Sequence, residues 1–300
     1  MATRPEIAST GEPWFCLPLA FLDRDYGMEA IYDQGNAAKG IREMIDNLPG
    51  GRPTYVAHLR QLCVALFREL AHDKSIFIDK DPRYYLILDF LVELFPDAKF
   101  IFLFRNPLDV MCSMMSTWLE NLLLLHAYHI DLYEGVRSMS RGSLVYAKRS
   151  INVHYEDLVR GPQQEVRRVC DFLGVGYDAE MLVKFQTVDF GGSMGDPTGI
   201  HQYDCISADS ANVWPQRLNN CYRVRFAREY LATLGDDILT PWRFSRKEFE
   251  QTVSQMRIHF RGSIKDMAYR HASDLWRMIS GTRIRHMLRE RRDREIFLFR

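Results

Sequence analysis

Residues 100–113, FIFLFRNPLDVMCS, decide how this chain folds. The apolar run that ends at Phe104 reads as a strand buried on both faces, as a parallel sheet requires. Arg105 closes that strand, and Asn106-Pro107 opens a helix with proline at its first position. Asp109 and Ser113, four residues apart, share one face of that helix. An arginine at the carboxyl end of a strand, followed by a helix start, suits an anionic ligand. The guanidinium is a two-pronged donor, and a helix N-terminus adds N–H groups and positive dipole. Ser113 lies two turns in, so its hydroxyl reaches a phosphate only along the helix flank.

Helix and strand signals alternate around this stretch. Residues 54–72 place Tyr55, Val56, Leu59, Leu62, Cys63, Leu66, Phe67 and Leu70 at helical spacing, which predicts an amphipathic helix. Residues 75–79 read as a short strand, 83–94 as a helix stopped by Pro96, and 150–154 as a further strand. Residues 107 to about 132 read as one long helix, open to a kink or interruption. In residues 162–173 proline stands first, Gly174 follows the end, and Val166, Val169, Cys170 and Leu173 line one face. This alternation predicts an α/β fold with a parallel sheet flanked by helices, whose ligands sit at the carboxyl ends of strands. Lys80, Arg105 and Tyr155 all fall at such ends. Residues 190–212 are rich in Gly, Ser and Asp and read as a long loop, and residues 217–234 return to helix.

Composition is that of an ordinary globular protein: 300 residues, 47% hydrophobic and 26% charged, with a formal net charge of zero. The balance is uneven. Residues 251–300 hold 12 Lys+Arg against 5 Asp+Glu, while the other 250 residues hold 27 against 34. The expected organisation is therefore an α/β domain over residues 1–245 and a basic, mainly helical C-terminal extension over 246–300. Cys16, Cys63, Cys112, Cys170, Cys205 and Cys221 are scattered with no C-x-x-C pair, which predicts reduced thiols and a cytoplasmic protein. No stretch approaches the length of a transmembrane helix.

The spacing R-x-P-x-D-x-x-x-S from Arg105 to Ser113 closely resembles the 3′-phosphate element of PAPS-dependent sulfotransferases. Lys80-Asp81-Pro82, Phe95-Pro96-Asp97-Ala98-Lys99 and Tyr155-Glu156-Asp157-Leu158 follow the family's order and spacing. Gly195-Asp196-Pro197 and the stretch from Trp214 to Leu218 resemble its C-terminal part, so the likeness covers roughly residues 4–245. It is nearest to the bacterial and protein-tyrosine sulfotransferase branch. The resemblance implies a P-loop-NTPase-like sheet, PAPS as co-substrate and no catalytic metal. One departure stands out. The family carries a first strand and a PxRSGTT-like phosphosulfate loop before a His-Pro-Glu-Ile-like turn. Here Arg4-Pro5-Glu6-Ile7 occupies the turn's place with three residues before it. The expectation is a chain without that first strand and loop. Residues 35–40, GNAAKG, have two glycines but continue Ile-Arg and fail as a phosphate cradle.

By the resemblance, Arg105 and Ser113 hold the 3′-phosphate and Tyr155 packs against adenine. Lys80 donates to the sulfonate or its bridging oxygen, and Glu12, in Thr10-Gly11-Glu12-Pro13, stands near the family's acidic base. Bland alternatives accompany each: an arginine paired with Asp109, a lysine solvated beside Asp79 and Asp81, a surface carboxylate, a core-facing tyrosine. Asp196 and Ser210 are candidates to close over nucleotide or acceptor. His126 and His129, at i and i+3, have metal-compatible spacing but no third ligand, and read as surface or groove histidines. The expected function is sulfonate transfer from PAPS to a hydroxyl or amine of a small-molecule, peptide or carbohydrate acceptor. The alternatives are an inactive truncated relic, or an interaction protein whose arginine-rich residues 283–294 meet an anionic partner.

Overall fold

The computed structural model describes residues 3–28, 30, 32–183 and 206–280. The first half of the chain runs β1 (Ile7–Ser9), α1 (Cys16–Phe21), α2 (Gln34–Asp46), α3 (Gly51–Ala71), β2 (Ile76–Ile78), α4 (Leu88–Leu94), β3 (Phe100–Phe104) and α5 (Pro107–Trp118). It continues through α6 (Val136–Val145), β4 (Ser150–His154), α7 (Tyr155–Arg160) and α8 (Pro162–Leu173). Beyond residue 205 come α9 (Trp214–Arg217), α10 (Cys221–Leu234), α11 (Asp236–Leu239), α12 (Arg246–Gln255) and α13 (Ser263–Ser280). The fold is α/β, with helices flanking short strands. It gathers into two compact units, Met1–Leu103 with Arg141–Ala208 and Phe104–Ser140 with Asp209–Arg300; the boundary expected at residue 245 runs inside the second. No helix among the described residues is long and apolar enough to cross a membrane.

In the first unit β1 and β2 pair in parallel, with Ile7 opposite Ile76 and Ser9 opposite Ile78. β3 and β4 form a second two-stranded sheet. β1 has no counterpart in the sequence expectation, because Ile-Ala-Ser is too short to show a period. It is held by tertiary bonds instead: Lys74 Nζ donates to the Ile7 carbonyl at 3.1 Å, and Ser9 Oγ to the Ile78 carbonyl at 2.8 Å. The core is built by α1, α3 and α4, with Cys16, Val56, Cys63, Phe90 and Leu94 buried together. α8 begins and ends where expected: Pro162 starts it, and Gly174 at φ 81° lets its N–H return to the Cys170 carbonyl at 2.8 Å. Residues 35–40 lie inside α2, which Asp33 caps by accepting from the Asn36 N–H, so they form no loop.

Two expectations are corrected, and the interruption left open for the third is located. β3 is buried on one face, not two: Phe102 and Phe104 point inward while Ile101 is 39% and Leu103 53% exposed. α6 covers the inner face closely, because a Cβ on Gly142 would lie 2.6 Å from Leu88 Cδ1 and 3.1 Å from Phe102 Cζ. α3 does not bury its whole apolar set; Val56 and Cys63 are inside, whereas Leu62, Leu66 and Leu70 form an exposed row. The long helix over 107–132 ends at Trp118, because Glu120 and Asn121 both adopt positive φ and the Asn121 N–H turns back to the Met115 carbonyl at 2.8 Å.

The second unit is organised around Asp266, which is almost fully buried. Its carboxylate accepts from Asn220 Nδ2 at 2.6 Å and from Arg223 Nε and Nη2 at 2.8 and 3.0 Å. Asn220 also caps α10, accepting from the Arg223 N–H at 2.9 Å, while Arg223 Nη2 donates to the Asn121 carbonyl at 2.6 Å. One cluster therefore ties α10, α13 and the turn after α5. Removing one partner of such a pair leaves a buried charge unanswered. Asp266→Ala should lower the unfolding free energy by about 3–5 kcal/mol, read as a shift of the urea midpoint; an unchanged midpoint would show that the cluster holds nothing together.

Candidate functional site

Two groups of side chains carry the candidate chemistry, one in each compact unit. In the first, the end of β2 runs into Asp79, Lys80 and Asp81, and the segment after β1 brings Glu12 and Trp14. Lys80 and Glu12, 68 residues apart, meet in a direct ion pair between Nζ and Oε1. The Lys80 side chain is 59% exposed and that of Glu12 is 14% exposed, so the carboxylate is sheltered and the ammonium opens to solvent. Two sequence candidates are thus in contact.

Their surroundings are polar and poorly satisfied. Tyr84 donates its hydroxyl to Asp79 Oδ2 at 2.5 Å, and the Cys16 thiol lies 4.0 Å from the same oxygen. Asp79 Oδ1, Asp81 Oδ2 and Trp14 Nε1 are buried and find no hydrogen-bond partner among the described residues. Asp81 Oδ1 accepts from the Arg83 N–H at 3.0 Å, and the Arg83 guanidinium lies 5.9 Å from the Trp14 ring centroid. Burial pushes the Asp79 carboxyl above the usual carboxylate range, against the opposing Tyr84 bond. Asp81 is raised by burial first, then by the charges of Glu12 and Asp79. The Tyr84 phenol is raised as well, by burial and by its bond to Asp79. Trp14 itself sits at φ 54°, a left-handed conformation that a bulky residue rarely takes. Neither Tyr84 nor Trp14 has a sequence signal of its own.

In the second unit Arg105 directly follows β3 and is half-buried. Its Nη2 donates to the Ser210 carbonyl at 2.6 Å. Asp109, fully buried on the first turn of α5, accepts from the Asn212 and Trp214 N–H groups at 2.6 and 2.8 Å. The segment after residue 209 is thereby fastened over the start of α5. The expected store of N–H donors at this helix start is reduced: Pro107 has none, and Asn106 Oδ1 takes the Leu108 N–H at 3.0 Å. The candidate side chains for an anion here are Arg105, just before the helix, and the half-buried Ser113 on it. Ser210 contributes its carbonyl; Asp196 lies outside the described residues.

Tyr155 is the first residue of α7, directly after β4, and half-buried. His126 is engaged by Ser273, whose Oγ accepts its N–H at 2.8 Å, and His129 stacks on Tyr133 with ring centroids 4.5 Å apart. Among the described residues no three His, Cys, Asp or Glu side chains gather as metal ligands. The arginine-rich residues 283–294 lie outside the described residues.

Comparison with known proteins identifies the class. Residues 1–179 match the family model described as the sulfotransferase family, and the chain belongs to that family of transferases. It is 30% identical over 202 residues to nodulation protein NoeE of Sinorhizobium fredii, covering 60% of this chain and 46% of that one. A putative protein-tyrosine sulfotransferase of Caenorhabditis briggsae is 28% identical over 108 residues, 35% of this chain and 39% of the relative. The chain thus spans less than half the length of these relatives. Among solved structures, the sulfotransferase domain from the curacin biosynthetic pathway aligns over 86% of this chain and 91% of its own, with 19% identity and a TM-score of 0.47.

A pH dependence follows from Asp79. The folded protein holds its proton more tightly than the unfolded chain does. The group therefore contributes stability in acid, below the ordinary carboxylate value, and loses that contribution as pH rises through the raised folded value. Asp79→Asn should raise the thermal midpoint near neutral pH, with the gain fading as the buffer is acidified; a gain that grows in acid would reverse the assignment.

Proposed function

We propose that this protein transfers a sulfonate group from PAPS to an acceptor hydroxyl or amine, with Lys80 and Glu12 at the reacting atoms. The contact between Lys80 and Glu12 is the observation that carries this reading. A cation and a sheltered carboxylate held together are the two groups an in-line sulfuryl transfer requires. As in phosphoryl transfer, the protein's work is positioning and charge stabilisation, with little covalent participation.

In the proposed reaction Glu12 removes the proton from the acceptor, and the acceptor oxygen or nitrogen forms a bond to sulfur. The bond from sulfur to the bridging oxygen breaks, and its electron pair leaves on the 5′-phosphate as adenosine 3′,5′-bisphosphate. Lys80 Nζ neutralises the charge growing on that bridging oxygen. The ion pair has a role before reaction too: donor binding draws Lys80 to the sulfonate and frees Glu12 to act as base. Arg105 answers the 3′-phosphate with a charge-assisted bond, Ser113 adds a hydroxyl, and the Tyr155 ring offers a face for adenine.

The acceptor is proposed by class alone. A small molecule, a peptide or a carbohydrate each presents the required hydroxyl or amine, and the orphaned polar atoms beside Lys80 favour an acceptor with hydrogen-bonding groups of its own.

Equilibrium titration with PAPS and with adenosine 3′,5′-bisphosphate tests these roles. Lys80→Ala should weaken PAPS more than the bisphosphate, by roughly 10-fold, because it meets the sulfonate end. Glu12→Gln should leave both affinities within about twofold yet reduce transfer of labelled sulfonate by about 10²–10⁴-fold. Equal losses for both nucleotides in Lys80→Ala, or undiminished transfer by Glu12→Gln, would remove these residues from the chemistry.

A further inference from the structure

α13 is amphipathic in the reverse sense. Its inward side is polar: Ser263, Asp266 and Ser273 are buried, Ser273 Oγ accepting from the His126 N–H at 2.8 Å and Asp266 joining Arg223 and Asn220. Its outward side is mainly apolar, with Ile264, Met267, Leu275 and Met278 exposed, the last two at 58% and 66%, and the exposed His271 between them. Phe260, in the loop leading into the helix, is also 66% exposed. A helix docked only on its own protein turns its apolar stripe inward. Here the stripe faces out over nearly four turns, larger than the scattered apolar residues of an ordinary surface.

The charges around this stripe have one sign. Arg257, Arg261 and Lys265 are all exposed at its leading end. Residues 256–280 contain two acids, and both are committed: Asp266 is buried against Arg223, and Asp274 pairs with Arg270 at 3.1 Å. The sequence beyond, residues 281–300, adds seven arginines against three acids. A second copy of this chain is a poor occupant. It would bring the same cationic rim, and both acids of residues 256–280 are already paired within the chain. An apolar helix face rimmed by cations matches the interface of an anionic lipid leaflet, where apolar side chains enter the acyl boundary and Lys and Arg meet headgroups.

We infer that α13 and the Arg257–Arg261 loop form a peripheral docking surface for anionic lipid membranes. Apolar burial and cation–headgroup attraction act together, since neither alone gives lasting attachment. The surface lies wholly within the second unit and uses none of the residues assigned to sulfonate transfer, so it stands or falls separately from that reading.

Vesicle flotation of the full chain tests the inference, using phosphatidylcholine alone and phosphatidylcholine with about 30 mol% phosphatidylserine. The wild type should float with the anionic vesicles and largely stay behind with the neutral ones. Replacing Arg257, Arg261 and Lys265 together by Ser should reduce affinity by on the order of 100-fold, about fivefold for each cation. The double variant Leu275→Ser with Met278→Ser should release the protein from vesicles without moving its unfolding midpoint, as befits exposed positions. Adenosine 3′,5′-bisphosphate affinity should be unchanged in both. Equal binding to the two vesicle types, no binding to either, or full binding by either variant would overturn the proposal. So would light scattering that shows a dimer which the Leu275 and Met278 changes abolish while vesicles go unbound.

Discussion

The buried carboxylate of Asp109 imposes the constraint on which the arginine site depends. A fully buried charge on the first turn of α5 must be answered, and two main-chain N–H groups more than a hundred residues away, at Asn212 and Trp214, answer it. That clasp brings the segment after residue 209 onto the helix start, where the Ser210 carbonyl meets Arg105. Trp214 then stacks on Phe249, with ring centroids 5.4 Å apart, and carries the packing on to α12. Arg105 is therefore held by the same segment that neutralises its helix. Under the proposed function, a phosphate arriving there gives the guanidinium a charged acceptor beside that carbonyl.

Local signals made part of this legible in advance. β4 and α8 fall on the expected residues, because one is a short run bounded by polar residues and the other has proline at its start and glycine past its end. What the sequence did not show was tertiary. β1 is three residues long and acquires its conformation from β2 and Lys74. The break after Trp118 comes at Glu120 and Asn121, where no glycine or proline announces a positive φ. The apolar run of β3 predicts burial on both sides, but hydrophobicity alone does not say how many layers cover a strand. Leu62, Leu66 and Leu70 of α3 make the same point, being apolar at helical spacing and exposed.

The candidate chemistry was legible through likeness more than through pattern. Nothing in the spacing of Glu12 and Lys80 pairs them; the family resemblance named both, and the fold puts them in contact. The pairing of Asp109 with Asn212 and Trp214 had no signal, because main-chain donors leave no residue-type trace. The reverse amphipathicity of α13 was hidden for a related reason. Periodicity locates an apolar stripe but gives no sense of direction, and only the burial of Asp266 and Ser273 shows which way the helix faces. Lys80 and Glu12 form an ion pair whose ammonium is exposed, and such a pair is typically worth under about 1 kcal/mol. On the proposed function, their contact is readiness for a ligand rather than a source of stability.

Calorimetric titration of adenosine 3′,5′-bisphosphate against wild type and Arg105→Ala tests the central claim most directly. The account predicts a loss of about 1.5–3 kcal/mol, the range for a hydrogen bond to a charged group, with the folded chain otherwise intact. Equal affinity for the two proteins would contradict it.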